Sequence, residues 1–294
     1  MDKSKFSGTG VAVVTPFHSD LSVDYDSLGE LIEFLITSGI NYLVAMGTTG
    51  ESPTISVSEK EKIFKFFVQQ NKGRVPLIMG IGGNDTRAIQ EALERVDPSG
   101  FDAILSVSPY YNRPTQEGIY QHYKALDKST PLPLILYNVP GRTSSNITAE
   151  TTLRIARDCP NVIGTKDASG NLKQGEDILT NRPDNFILLS GDDETAIPLI
   201  QCGAEGVISV IAGCFPRFFK EGVDAALDSN HQKADEVSKL AQPIIDLLFE
   251  EGNPAGVKSV LSQRGLIKNH LRLPLISVSE SVHTHLSTYV KQYK

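Results

Sequence analysis

The stretch Val162–Gly170, VIGTKDASG, carries an apolar, strand-like run to a lysine and follows it with a turn of small residues. Lysine is costly to bury and is seldom fully inside a protein unless paired. Taken alone, the run reads as a strand end whose lysine snorkels to water. Repetition changes that reading. Seven other runs share its form: GVAVVTPF (10–17), YLVAMG (42–47), PLIMGIGG (76–83), AILSVSP (103–109), LILYNVP (134–140), ILLSGDD (187–193) and GVISVIAG (206–213). Each is continuously apolar over about the length of a strand, as expected where both faces of a parallel sheet are covered.

Amphipathic segments lie between these runs, with helices expected at 24–38, 58–71, 115–128, 148–158 and 195–202. Ser58 with Glu61 has the spacing of a capping box, and Thr115 is a cap with Gly118 in place of the usual acid. Gly39 and Gly73 stand where helices should stop. Eight evenly spaced βα units favour a closed (β/α)8 barrel over the alternative, an open doubly wound sheet. The strand runs cease after Ser229. HQKADEVSKLAQPIIDLLFEEG, PAGVKSVLSQRG and SESVHTHLSTYVKQY all read as helices. The expected organisation is a catalytic barrel over 1–229 and a small helical domain over 230–294, packed together because no low-complexity linker divides them.

The chain of 294 residues has a formal net charge of -7, which argues against nucleic acid or an anionic membrane as partner. MDKSKFSGTG at the start contains no apolar signal segment, and no run is long enough for a membrane span. Cys159, Cys202 and Cys214 are odd in number with no CxxC spacing, so the expectation is a reducing cytoplasm and neither a disulfide framework nor a zinc ribbon.

Chemistry in such barrels gathers at the carboxyl ends of the strands. Lys166 is the only lysine at any of these ends. With Lys166 pointing inward, strict alternation puts Gly164 and Val162 on its face and turns Thr165 and Asp167 outward, so Asp167 is badly placed to pair with it. An ammonium in an apolar barrel mouth is destabilised by desolvation, and a neutral amine can form a Schiff base with a carbonyl. Tyr137 shares the inner face of its strand with Ile135. It reads either as a barrel aromatic or as a proton relay for carbinolamine formation and dehydration. Thr48 and Thr49, between Gly47 and Gly50, read as a plain turn or as a carboxylate site of hydroxyls and backbone N–H groups. Arg142, after a Pro-Gly turn, reads as a solvated loop residue or a bidentate carboxylate ligand.

Other chemistries fit less well. Only His18 of six histidines is near a strand end, and His283 and His285, two apart on a helix, read as solvated, so no metal is expected. Asp192-Asp193 would repel a phosphate after strand 7. GIGG at 80–83 is too short for a dinucleotide fingerprint, and no Walker motif occurs.

Taken in order, GTTGES, SPYYNRP, YNVPGRT, GTKDASG and SGDD resemble the dihydrodipicolinate synthase family, in the superfamily of pyruvate-binding class I aldolases that includes N-acetylneuraminate lyase. The resemblance covers essentially the whole chain. It implies a (β/α)8 barrel that condenses pyruvate with L-aspartate 4-semialdehyde on the way to diaminopimelate and lysine, with no metal or organic cofactor. It also implies Lys166 as the Schiff-base lysine and Tyr137 as proton relay, coupled through Thr48 to Tyr111. Tyr111 would reach in from a neighbouring subunit of a homo-oligomer, expected to be a tetramer of two tight dimers. Thr49 would bind the pyruvate carboxylate and Arg142 that of the semialdehyde, with Gly191 and Ile208 offering backbone groups. The alternatives are a sister aldolase, for sialic acid or a 2-keto-3-deoxy sugar acid, and a ligand-sensing barrel with no activity. Arg142 and YYNRP favour the synthase, and an intact Lys, Tyr and Thr set disfavours the sensor. Many members also bind L-lysine between the subunits of the tight dimer. Ser52, Asn84 and Tyr110 match that site, but Lys60 replaces the usual histidine or glutamate and Ala88 the usual glutamate, so the effector site is expected not to function.

Overall fold

A computed structural model describes residues 3–293. Eight parallel strands close on themselves in chain order: β1 (Gly8–Ala12), β2 (Tyr42–Ala45), β3 (Leu77–Gly80), β4 (Ala103–Val107), β5 (Leu134–Asn138), β6 (Val162–Asp167), β7 (Ile187–Ser190) and β8 (Gly206–Ser209). β8 pairs back onto β1, with Gly206 opposite Gly8 and Ile208 opposite Gly10. Around the barrel run α1 (Tyr25–Thr37), α2 (Val57–Asn71), α3 (Thr86–Arg95), α4 (Gln116–Ser129), the single turn α5 (Pro140–Thr143), α6 (Ala149–Asp158), α7 (Leu172–Asn181), α8 (Asp193–Gln201) and α9 (Pro216–Leu227). Three more helices follow, α10 (His231–Glu250), α11 (Ala255–Gln263) and α12 (Glu280–Gln292). Among the described residues no helix is long and apolar enough to cross a membrane.

The unbroken hydrophobicity of the strands has the expected cause. On β5, Ile135 and Tyr137 face the barrel interior while Leu134 and Leu136 pack against the helices. The amino end of the interior is filled by Tyr42, whose ring lies over Gly10 so closely that a Cβ there would meet it at 2.0 Å. Its hydroxyl donates to the Val207 carbonyl at 3.0 Å. The apolar layer outside the strands continues without a break into Ala241, Ile244 and Leu248 of α10.

Three of the boundaries that differ from the sequence reading have an identifiable physical cause. β1 covers Gly8–Ala12 rather than 10–17. The ladder starts early because Gly8 pairs with Gly206, and it cannot reach Phe17 because Pro16 has no N–H. α2 starts at Val57, and its capping box is Ser56 with Glu59, not Ser58 with Glu61. The two S-x-x-E frames are equivalent locally, but only Glu59 also meets Arg272. α8 starts at Asp193, capped by Asp192, whose side chain accepts from the N–H groups of Glu194 and Thr195.

Arg272 ties the segment between α11 and α12 onto the barrel. Its guanidinium donates to Glu59 Oε1 at 2.6 Å, the Leu21 carbonyl at 2.7 Å and the Thr54 carbonyl at 2.8 Å. Arg272 foremost, then the Ser56 N–H and hydroxyl, hold the Glu59 carboxyl down from 4.5 to about 2. A depressed carboxylate stabilises the fold fully above its unfolded value, and the gain is lost as pH falls toward the folded one. Glu59→Gln should therefore cost about 1.5 kcal/mol at neutral pH, the low end for a charged hydrogen bond because the pair is partly exposed. The gap in unfolding midpoint between variant and parent should narrow as pH drops from 4.5 toward 2. Thermal melts over that range check it, and a constant gap would mean that the charge contributes nothing.

Candidate active site

β6 does not alternate strictly. Val162 pairs with Leu134, but the next pair is Gly164 with Ile135, so Ile163 is an extra residue in a bulge. Val162 accordingly faces the helices, not the interior face assigned to it by alternation, and Ile163 packs inward. The bulge shifts the phase of everything after it. Tyr137 then stands beside Lys166 in register, both inward, with Lys166 Nζ 4.0 Å from the centre of the tyrosine ring. Lys166 is 5% exposed, which excludes the snorkelling alternative. Asp167 turns outward as expected. Its carboxylate accepts from Gln174 Nε2 and from the Ser169 N–H, both at 2.7 Å.

Gly191 lies against this lysine. A Cβ there would stand 2.7 Å from Lys166 Cε and 2.8 Å from Ala168 Cβ. The Gly191 N–H is already used, donating to the Asp167 carbonyl at 2.7 Å, so only its carbonyl is free to meet a ligand. Ile208 is buried among the interior side chains of the barrel. Asp193 does not present charge to the mouth. It is buried, accepts from the N–H groups of Val210 (3.0 Å) and Ile211 (2.8 Å), and is pushed up to about 6 by burial.

Thr48–Gly50 form a single tight turn after β2. The Gly50 N–H donates to the Gly47 carbonyl at 3.1 Å, and the Glu51 N–H to the Thr48 carbonyl at 3.0 Å. Three outside groups hold this turn. Thr15 Oγ1 donates to the Gly50 carbonyl at 2.6 Å, and Asn253 Nδ2 donates to Thr49 Oγ1 at 2.9 Å. The third is Lys258 of α11, in a buried ion pair with the carboxylate of Glu51, the residue that closes the turn. The Thr49 hydroxyl accepts from Asn253 and keeps its own proton to donate. Arg142, on α5, is exposed, and its Nη2 donates to the Asn253 carbonyl at 3.3 Å. Asn253 thus touches both proposed carboxylate-binding groups.

Tyr111 is not brought to Lys166 within the chain. It is 89% exposed on left-handed backbone (φ 70°) in the loop after β4. A groove of about 920 Å³ connects two of the sequence constellations, since its wall includes Thr48 and Tyr137 as well as Ser52, Lys60, Asn84 and Ala88. Burial pushes the Lys60 ammonium down. Asn84 Nδ2 donates to the Tyr110 carbonyl at 3.1 Å.

Sequence reasoning missed Glu51, Asn253 and Lys258. Lys258 left a signal, a lone charge in the apolar stretch AGVKSV; Asn253 left none. The solvated reading of His283 is also corrected. It is half-buried, with Nδ1 2.8 Å from Ser259 Oγ of α11.

Fold and mouth together define a (β/α)8 barrel with a buried lysine stacked on a tyrosine at the carboxyl end of its strands. The model of the dihydrodipicolinate synthetase family matches residues 5–293, and the chain belongs to that family. It is 50% identical over 284 residues to 4-hydroxy-tetrahydrodipicolinate synthase of Parabacteroides distasonis, covering 97% of this chain and 94% of that one. The corresponding protein of Phocaeicola vulgatus is 48% identical, with 99% and 96% covered. Among solved structures, dihydrodipicolinate synthase of Acinetobacter baumannii complexed with pyruvate superposes with a TM-score of 0.94 at 41% identity, covering 98% of each chain.

Gly191→Ala tests the crowding around the lysine. Overpacking costs roughly 1–3 kcal/mol where the surroundings cannot give. Here the side chain able to move is Lys166 itself, so the variant should fold with a modestly lowered unfolding midpoint and lose most covalent capture by that amine. Parent-like capture in a folded Gly191→Ala protein would refute a lane kept open for Lys166.

Proposed function

We propose that this chain acts as a 4-hydroxy-tetrahydrodipicolinate synthase, a lyase that condenses pyruvate with L-aspartate 4-semialdehyde in the lysine and diaminopimelate pathway. One observation carries the reading: a family match along nearly the whole chain coincides with a buried lysine stacked on a tyrosine in the barrel mouth. The neutral Lys166 amine attacks the ketone carbon of pyruvate, and the carbinolamine loses water to give the iminium. Loss of a methyl proton then yields an enamine, the carbon nucleophile for the aldehyde. Tyr137 moves protons in these steps, relayed through Thr48 and the Tyr111 of a neighbouring subunit. Thr49 and the adjoining N–H groups take the pyruvate carboxylate, and Arg142 takes that of the semialdehyde. Gly191, through its carbonyl, and Ile208 line the ligand. Sister aldolases share the lysine and tyrosine, whereas the relatives named above are synthases.

The assembly we infer is a homotetramer of two tight dimers. An exposed tyrosine on left-handed backbone suits a side chain meant for another subunit, and it completes no site in its own. A cytoplasmic location fits three free cysteines.

Borohydride reduction in the presence of pyruvate tests the mechanism. It should add one adduct, on Lys166 by peptide mapping. Lys166→Ala and Lys166→Arg should both abolish it, since arginine stays protonated. An adduct on another lysine would sink the reading.

We also propose that L-lysine does not regulate this chain, or does so only weakly. An L-lysine ligand brings two ammonium groups and needs acceptors. Ala88 offers none, and Lys60 presents a like charge on the same groove. Loss of one charged hydrogen bond costs roughly 1.5–3 kcal/mol, or about 10- to 150-fold in affinity. Activity titrated with L-lysine should show no half-inhibition below the millimolar range, and sub-millimolar inhibition would show that the two replacements are immaterial.

A further inference from the structure

Beneath the threonine turn lies a charge pair that the mechanism above does not use. The Glu51 and Lys258 side chains are both 0% exposed. Lys258 Nζ also donates to the His270 carbonyl at 2.8 Å and stands 4.2 Å from the centre of the Phe17 ring. The second Glu51 oxygen accepts from the Arg272 N–H at 3.1 Å. Burial draws the Lys258 ammonium down to about 8 against the pull of Glu51. Removing two such charges from water costs several kcal/mol for each, and an apolar pair of the same shape often serves stability as well or better. Stability alone is therefore a poor reason for the pair.

Its position supplies a better one. Glu51 is the residue directly after Thr48–Thr49–Gly50, and its N–H closes the turn on the Thr48 carbonyl. Its backbone is left-handed, φ 56°, a region that a residue with a side chain occupies only under constraint. The constraint is the carboxylate, gripped from one side by Lys258 and from the other by the Arg272 N–H. Five residues before Lys258, Asn253 grips the Thr49 hydroxyl. One short segment of the C-terminal region thus holds the turn at two points.

We propose that the buried Glu51–Lys258 ion pair is a positioning device for the carboxylate site of the first substrate, fixing the turn that presents Thr48 and Thr49 to the barrel mouth. The inference rests on the reading that this turn receives the pyruvate carboxylate. Neither residue touches substrate. The pair sets how well pyruvate is held and where Thr48 stands, while the grip on the second substrate is set elsewhere.

Two variants and one parental control test this. Glu51→Gln keeps the shape and removes the charge. It should raise the pyruvate KM, and the half-saturating pyruvate for borohydride trapping, by about tenfold or more, the equivalent of one charged hydrogen bond. kcat should fall as well, since Thr48 of the same turn belongs to the proton relay, while the semialdehyde KM should stay within roughly threefold of the parent, since the Arg142 interaction is not addressed. Glu51→Gln also leaves Lys258 unpaired and lowers the unfolding midpoint. Adding Lys258→Met removes that orphan, so the double variant should recover most of the midpoint but not the pyruvate KM. A parent-like pyruvate KM in the double variant would overturn the proposal, as would both KM values rising in step with lost stability. Absence of any pyruvate adduct on the parent would remove the functional reading itself, and this proposal with it. An adduct on the parent with unmoved pyruvate saturation in the variants would refute the positioning role alone.

Discussion

A bulge in β6 decides which side chain enters the barrel. Were Ile163 paired as a regular strand residue, alternation from the outward Val162 would send Thr165 inward and Lys166 out among the helices. The bulge reverses that phase and delivers Lys166 beside Tyr137. Closure makes the outcome permanent. A sheet with no edge cannot shift one strand's register without breaking the ladders on both sides, here to β5 and β7. The lysine cannot sink deeper either, because the interior below it is filled by branched and aromatic side chains down to Tyr42. Its side chain runs past Gly191, where a Cβ would collide with it. Register, packing and a missing side chain together direct one amine to one place.

The mouth is finished by parts of the chain far from it in sequence. Segment 253–272 crosses back over the barrel and supplies Asn253, Lys258 and Arg272 to groups between residues 21 and 59 and to Arg142. The three helices after residue 230 are therefore more than an addition to a complete barrel. A turn as short as Thr48–Gly50 has too few internal hydrogen bonds to hold one geometry, so its shape is imposed by what grips it from outside.

The contrast explains what could be read beforehand. The fold was legible because βα repetition is a local signal recurring eight times, and strands buried on both faces advertise themselves by unbroken hydrophobicity. The positions of Lys166, Tyr137 and Thr48–Thr49 at the barrel mouth were legible because each ends a strand run. Phase errors were not visible: VIGTKD carries no mark that Ile163 will bulge, and the two S-x-x-E frames at the start of α2 differ only through a distant arginine. Asn253 and Glu51 were hidden for the same reason. Their roles are defined by partners roughly 200 residues away, and a sequence read in windows contains no such pairing. His283 was misread as solvated because its helix was considered without the neighbour that supplies Ser259.

The groove beside α2 and α3 poses the remaining physical question, whether its polar residues are there for a ligand or for the fold. Asn84 uses its side-chain amide on the Tyr110 carbonyl, and its backbone carbonyl accepts from Asn112 Nδ2 at 2.9 Å. Those bonds fasten the loop after β3 to the loop after β4, the loop that holds Tyr111 away from its own chain. Asn84 thus has work inside the fold with no ligand present. Among the described residues Lys60 has no such bond, and its partly desolvated ammonium stands on a wall that also includes Thr48, Tyr137 and the carboxylates Glu61, Asp85, Glu91 and Asp97. The bonds between the two loops give Asn84 and Tyr110 a structural role that needs no ligand.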